Sequence, residues 1–176
     1  MALTLRTARL LLRPQVEADI PAIMAGLNDF EVTRYLTVVP YPYTLADAHE
    51  WIGRQVPPEP GNAAFTVELP GVGMIGAVTM MNDLGYWLDR RQHGNGYVTE
   101  ASEALLDWHF AALPDDVVHS GFHLGNGPSG AVQKKLGFVD TGLRDMRFVR
   151  SQNREVEHVG TTLVRADFET ARRRRH

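Results

Sequence analysis

The sequence predicts a single α/β (α+β) domain: a mixed, mostly antiparallel central sheet of about seven strands with helices on both faces. Two observations lead there. Three strand-like segments, Ala64 to Leu69, Gly73 to Met81 and Leu84 to Asp89, follow one another across the turns Pro70-Gly71 and Asn82-Asp83, which is the pattern of an antiparallel meander. A long amphipathic segment and a further strand come next, so the meander feeds a strand–helix–strand unit. The length of 176 residues fits one domain spanning 1–176, and a hydrophobic fraction of 44% can build its core.

Each element has a local reason. Leu3 to Arg13 alternates leucine with threonine and reads as an extended segment bent near Thr7–Arg9. Asp19-Ile20-Pro21 opens a helix with Ile20, Ile23, Met24 and Leu27 on one face, and a shorter helix is expected around Phe30 to Leu36. Pro40-Tyr41-Pro42-Tyr43 is a loop, and Thr44 caps a helix carrying Leu45, Ala48, Trp51 and Ile52. After the meander, Tyr97 to Leu113 forms a long helix through Val98, Ala101, Leu105, Trp108 and Phe110. Val117 to Leu124 is a strand, Ser129 to Leu136 a short helix ended by Gly137. Phe138 to Arg150 and Glu155 to Val164 close the sheet as a hairpin, and Ala166 to Arg174 is the last helix.

Composition narrows the function. A formal net charge of −3 gives no pull toward nucleic acid or anionic lipid. The absence of cysteine removes disulfides, a thiol nucleophile and thiolate metal sites, and fits a cytoplasmic location. Met1 to Pro14 lacks the apolar core of a signal peptide, and no run of about 18 apolar residues predicts a membrane span. His119 and His123 share a strand face and His49-Glu50 lacks a second histidine, so no metal site is expected. The arginines 172–175 read as a solvated, frayed helix end.

The segment with chemistry in it is Arg91-Gln92-His93-Gly94-Asn95-Gly96, between a strand and the long helix. Glycines at such a junction expose several N–H groups in one concave patch, and the helix N-terminus adds partial positive charge. A pyrophosphate fits there because no Cβ obstructs it, and Arg91 is placed to add a charge-assisted contact. Two glycines are equally what a tight turn requires. No Lys-Ser/Thr pair follows Gly96, and Thr99 stands where a dinucleotide fingerprint has its third glycine, so neither nucleotide motif fits.

Leu84-Gly85-Tyr86-Trp87-Leu88, followed by Arg91-x-x-Gly94-x-Gly96 and Tyr97-Val98-Thr99-Glu100-Ala101, resembles the acetyl-CoA motif of the GNAT superfamily, in particular its ribosomal-protein alanine N-acetyltransferase-like branch. Asn126-x-x-Ser129 and Lys135-Leu136-Gly137-Phe138 resemble the second block of that branch, while Pro128 and Gly130 beside Ser129 depart from it. The resemblance implies a sheet split like a V between its fourth and fifth strands, with acetyl-CoA as co-substrate. It implies that the main chain of Trp87 and Leu88 pairs with the pantetheine amides, that the N–H groups of Gln92, His93, Gly94, Asn95, Gly96 and Tyr97 hold the pyrophosphate, and that Asn126 touches the cofactor's arm.

The implied reaction needs an unprotonated amine, an oxyanion donor and a proton for the leaving thiolate. Ser129 carries over as the proton donor, with capping of the short helix as its other reading. Asp83, a turn residue at the start of a strand, and His123, at the end of another, are the base candidates; Glu100 either complements the helix dipole or acts as base, and water can relay the proton instead. The acceptor is expected between the early helices and the closing hairpin, near Phe30, Tyr35, Tyr41 and Tyr43, aromatics that equally suit packing. A protein N-terminal α-amine, a small-molecule amine, or a silent acyl-CoA-binding module are the functions left open, in a monomer or homodimer.

Overall fold

The computed structural model describes residues 3–175; the expectations touching Met1, Ala2 and His176 lie outside the described residues. Among the described residues eight strands form one sheet: β1 (Leu5–Arg6), β2 (Leu11–Pro14), β3 (Asn62–Leu69), β4 (Gly73–Met81), β5 (Asp83–Leu88), β6 (Val117–His123), β7 (Val139–Val149) and β8 (Arg154–Val164), in the order β1-β2-β3-β4-β5-β6-β8-β7. Six α-helices among the described residues accompany it: α1 (Ile20–Leu27), α2 (Phe30–Thr33), α3 (Leu45–Gly53), α4 (Tyr97–Ala112), α5 (Gly127–Leu136) and α6 (Arg165–Arg175). The count is eight strands rather than seven because the first segment folds on itself. Thr7 closes that turn, its N–H donating to the Leu10 carbonyl at 3.0 Å and its hydroxyl accepting the Leu10 N–H at 2.9 Å. Every neighbouring pair is antiparallel except β5 and β6, which are parallel, so the expected split falls between the fifth and sixth strands, on the same two segments.

Two cores lie on opposite faces. Leu12, Phe65, Val78, Leu84, Leu88, Leu105, Leu106, Phe110, Leu136 and Phe168 bury the sheet against α4, α5 and α6, each large side chain contributing about 1.5–3 kcal/mol. Ile20, Ile23, Leu27, Tyr43 and Ala48 pack α1 and α3 on the other face, where Trp87 joins them. Tyr43 is therefore core rather than acceptor lining, while Phe30 and Tyr41 pair ring to ring at 5.1 Å. Thr44 caps α3 as expected, accepting the Asp47 N–H.

The early helices are tied down by ions. Arg13 holds the buried Asp19 with both terminal nitrogens, at 2.9 and 2.7 Å, and Glu68 with its Nε at 2.6 Å. Burial alone would raise the Asp19 pKa; the Arg13 bonds, the Val16 N–H and the Thr66 hydroxyl outweigh it and hold the carboxyl below its ordinary range. The arginines at the end of α6 are not a frayed tail. Arg172 reaches Glu103 and Asp107 and Arg175 reaches Glu103, fastening α6 to α4.

Candidate active site

The site begins where the sheet parts. β5 and β6 pair only at Asp83 and His119. One residue further on, a side chain takes over from the ladder: the Ser120 hydroxyl donates to the Leu84 carbonyl at 2.8 Å. Gln133 of α5 backs this joint, its amide nitrogen donating to Ser120 Oγ at 3.1 Å and to the Gly121 carbonyl at 2.7 Å while its oxygen accepts the Thr161 hydroxyl at 2.7 Å. Ser120, Gln133 and Thr161 are buried polar residues with every group paired, which fixes the apex of the split. Nothing in their spacing marked them beforehand, because three elements distant in sequence supply them.

Beyond the apex, the parity of β5 decides which main-chain groups the split receives. The Asp89 N–H donates to the Ile75 carbonyl of β4 at 2.8 Å, and the Leu84 carbonyl faces the opposite way, toward Ser120. Alternation then turns the N–H and C=O of Tyr86 and Leu88 to the split. The Trp87 carbonyl lies against Gly76 of β4, so of the expected pair Leu88 offers its main chain and Trp87 does not. The Trp87 indole packs instead on Gly26 of α1, where any Cβ would overlap the ring. His93 turns its Nε2 to the Leu88 carbonyl at 2.9 Å.

At the open end of β5 the chain makes one 3₁₀ turn and enters α4. Gly94 and Gly96 both have left-handed φ, +80° and +78°, and a Cβ at Gly94 would meet nothing, so the concave side of the loop is clear. The Gln92 and His93 N–H groups are already used, donating to the Asp89 and Arg90 carbonyls. The first bond into α4 runs from Glu100 N–H to the Gly96 carbonyl, which leaves the N–H groups from Gly94 to Thr99 for an anion at the helix N-terminus. Arg91 is folded back on Asp89, with Nη2 at 2.6 Å from Oδ2, and is itself largely exposed. A second cation, Arg9, stands nearer the loop. Its Nη1 donates to the Asn95 carbonyl at 3.0 Å, its guanidinium covers the Tyr97 ring at 4.6 Å, and its Nε donates to Glu100 at 2.6 Å. Glu100 also accepts the Thr7 hydroxyl at 2.5 Å, so it joins the first hairpin to the loop and does not face the apex. Glycines, a helix N-terminus and two adjacent arginines fit a pyrophosphate.

Ser129 lies across the split from β5. It is the third residue of α5, and the cap is Asn126, whose Oδ1 accepts the Ser129 N–H at 3.4 Å; the capping role considered for Ser129 is thus filled by Asn126. The Ser129 hydroxyl is 2.8 Å from the Tyr86 hydroxyl, and either oxygen can donate. Burial raises the Tyr86 pKa against the opposing hydrogen bonds from Ser129 and Gln133, which keeps the phenol neutral. Gly130, which departs from the resembling motif, has a reason here: a Cβ would press on the Phe122 ring at 3.0–3.3 Å.

The opposite face of the split carries the titratable groups. Asp83 is exposed at the start of β5, beside His119. His123 is buried at the end of β6, its Nε2 2.9 Å from the Thr37 hydroxyl beyond α2. Directly across the ladder stands His158 of β8, ring against ring at 5.5 Å. Asp145 of β7 pairs in register with His158, and its Oδ1 is 3.1 Å from Nδ1. Burial, then His158 and Arg147, hold His123 below the ordinary imidazole range; burial, then Arg147, do the same to His158 against the pull of Asp145 and Asp83. The turn after β7 closes this face against the early helices. Ser151 donates to the Thr33 carbonyl at 3.0 Å, Gln152 to Arg34 at 2.6 Å and the Arg150 N–H to Thr37 at 3.1 Å.

The sheet parts at one parallel pair, with a glycine cradle beyond the open end of β5, a hydroxyl pair between β5 and α5, and two imidazoles at the far end of β6. The model of the Acetyltransferase (GNAT) domain matches residues 9–139. The chain therefore belongs to the GNAT family and is an N-acetyltransferase. It is 25% identical to the Uncharacterized N-acetyltransferase p20 of Bacillus licheniformis over 94% of this chain and 98% of p20. It is 27% identical to the Putative ribosomal N-acetyltransferase YdaF of Bacillus subtilis (strain 168) over 49% of this chain and 47% of that protein. The fold matches that of spermidine N-acetyltransferase from Vibrio cholerae in complex with CoA and spermine, with a TM-score of 0.74 at 19% identity, over 93% of this chain and 99% of the other. Among the described residues no helix is long and apolar enough to cross a membrane.

Proposed function

We propose that the chain transfers the acetyl group of acetyl-CoA to the α-amine of a protein or peptide, by direct attack of the amine while both substrates are bound. The observation that carries this reading is the order of groups along β5: the Gly94–Thr99 cradle beyond its end, then the outward-facing N–H groups of Leu88 and Tyr86, then the Ser129–Tyr86 hydroxyl pair. The cradle suits the pyrophosphate of CoA, the β5 edge suits the amides of pantetheine, and Asn126 caps α5 beside Ser129 across the split. An N–H of Tyr86 or Leu88 is the donor for a developing oxyanion. Ser129 supplies the proton to the departing thiolate and recovers one from the acceptor nitrogen, while Tyr86, 2.8 Å away, holds the Ser129 hydroxyl in place.

The acceptor enters from the face carrying Asp83, His123 and His158. Arg147 is paired with Asp145 at 2.8 Å, which leaves Asp83 to attract an ammonium on this face; one carboxylate supports an acceptor with a single amine over a polyamine. The test is thiol release from acetyl-CoA across peptides with free N-termini, blocked peptides bearing lysine, amino acids and polyamines. Turnover confined to free N-termini is the expected result. Preference for polyamines would replace the acceptor, and acetyl-CoA binding with no thiol release from any amine would make the chain a silent binding module.

A further inference from the structure

We propose that His158, oriented by Asp145, is the general base that deprotonates the acceptor amine, a role that rests on the acetyltransferase reading above. The geometry is directional. His158 sits on β8 with β6 on one side and β7 on the other. Its Nδ1 meets Asp145 of β7, which fixes the ring and selects the tautomer with the proton on Nδ1. The other edge, Cε1 and Nε2, lies over Gly121 of β6, where a Cβ would overlap both atoms. The ring thus lies over β6, with its unprotonated nitrogen above Gly121, on the strand that parts from β5. Gly121 follows Ser120, the residue that marks the apex of the split.

The other candidates are less well placed. His123 spends its Nε2 on Thr37, outside the split. Asp83 is exposed and, among the described residues, has no orienting partner at hydrogen-bond distance; its field favours an ammonium and an imidazolium at this spot. The charged and titratable groups facing His158 are Asp83 on β5, His119 and His123 on β6, and Asp145 and Arg147 on β7. Burial and Arg147 keep the imidazole neutral near pH 7, as a base must be.

His158 Nε2 takes one proton from the bound ammonium. The nitrogen lone pair attacks the thioester carbon, the C–N bond forms and the C–S bond breaks with its electron pair leaving on sulfur. The second nitrogen proton replaces the one that Ser129 gives to sulfur, and His158 returns its proton to water. A weak base suits a weakly basic amine: an α-ammonium near ~7.7–8.0 is within reach, an alkylammonium near ~10.4 is not.

Histidine ¹⁵N spectra of the protein alone, the affinity for acetyl-CoA, and turnover against pH for wild type, His158→Gln and Asp145→Asn together test this. The expected spectrum shows Nδ1 protonated and Nε2 bare near pH 7. His158→Gln is expected to lower kcat about 10²-fold near pH 7, to leave acetyl-CoA affinity within about threefold, and to recover toward wild type near pH 9.5 as the amine deprotonates unaided. Asp145→Asn keeps the ring and is expected to lower kcat less while shifting the acid limb of the profile. An Nε2-protonated ring, unchanged kcat in His158→Gln, or an equal fall at every pH would overturn the base. Should His158→Gln lose its fold, Asp145→Asn and the wild-type tautomer decide. Wild type that binds acetyl-CoA yet acetylates no amine sinks the acetyltransferase reading itself, whereas active wild type with an equally active His158→Gln sinks only the base.

Discussion

The two sides of the split are built differently. The cradle side is local: one turn and the start of one helix supply six consecutive N–H groups, and glycine at two positions suffices to shape it. The imidazole side is assembled from β5, β6, β7, β8 and the segment beyond α2, and no two of its key residues, Asp83, His123, Asp145 and His158, are closer than a dozen positions in sequence. A backbone site tolerates changes of side chain around it. A site made of side chains from separate strands depends on register, because a one-residue slip turns every group to the other face.

That contrast can be broken at several points. The largest effect is expected at the apex, where both sides meet: Ser129→Ala should reduce kcat by about 10²-fold and leave acetyl-CoA affinity unchanged in calorimetry. Equal loss of affinity would move Ser129 from proton transfer to binding. On the cradle side alone, Gly96→Val forces a β-branched residue into a left-handed φ and toward Arg9, and should weaken acetyl-CoA binding by about tenfold or more without altering the pH profile of the remaining activity. A changed profile would show that the two sides are not separable. Gly26→Ala pushes the Trp87 indole off α1, and an overpacking loss of roughly 1–3 kcal/mol should appear in denaturant unfolding.

The smallest effect is on stability with pH, and its sign follows from the two buried histidines. Both have folded pKa values below the unfolded value of about 6.5. Above that value both states are neutral and stability is full; as pH falls through it the unfolded chain takes protons that the folded chain refuses, and stability declines. The melting temperature should therefore drop between about pH 7 and pH 5, and His123→Gln should flatten that decline. A decline of the same slope in the variant would assign the effect to other groups.

The fold was legible because its signals are short-range. Short apolar runs bounded by the turns Pro70-Gly71 and Asn82-Asp83 mark β3, β4 and β5, Thr44 caps α3, and Gly137 ends α5 in a left-handed conformation. The eighth strand comes from the expected bend near Thr7, where the Thr7 side chain closes a turn that divides the first extended segment into β1 and β2. The cradle was legible for the same reason, although its membership shifted: Gln92 and His93 spend their N–H groups inside the 3₁₀ turn, and Arg9, far away in sequence, stands nearer than Arg91 to the glycine side. His123 was visible as a strand-end histidine, but its orientation toward Thr37 was not. His158 and Asp145 gave no signal, since a histidine and an aspartate thirteen residues apart become partners only when β7 and β8 take their register.

By itself, then, the sequence determined the elements, their order and the Arg91–Gly96 turn, because propensity, capping and glycine conformations act over a few residues. Only the tertiary structure decided which parity of β5 faces the split, which histidine edge looks into it, and that arginines 172 and 175 bind α4 instead of solvent. Those choices depend on which strand or helix lies alongside, and that is settled by packing across the whole chain.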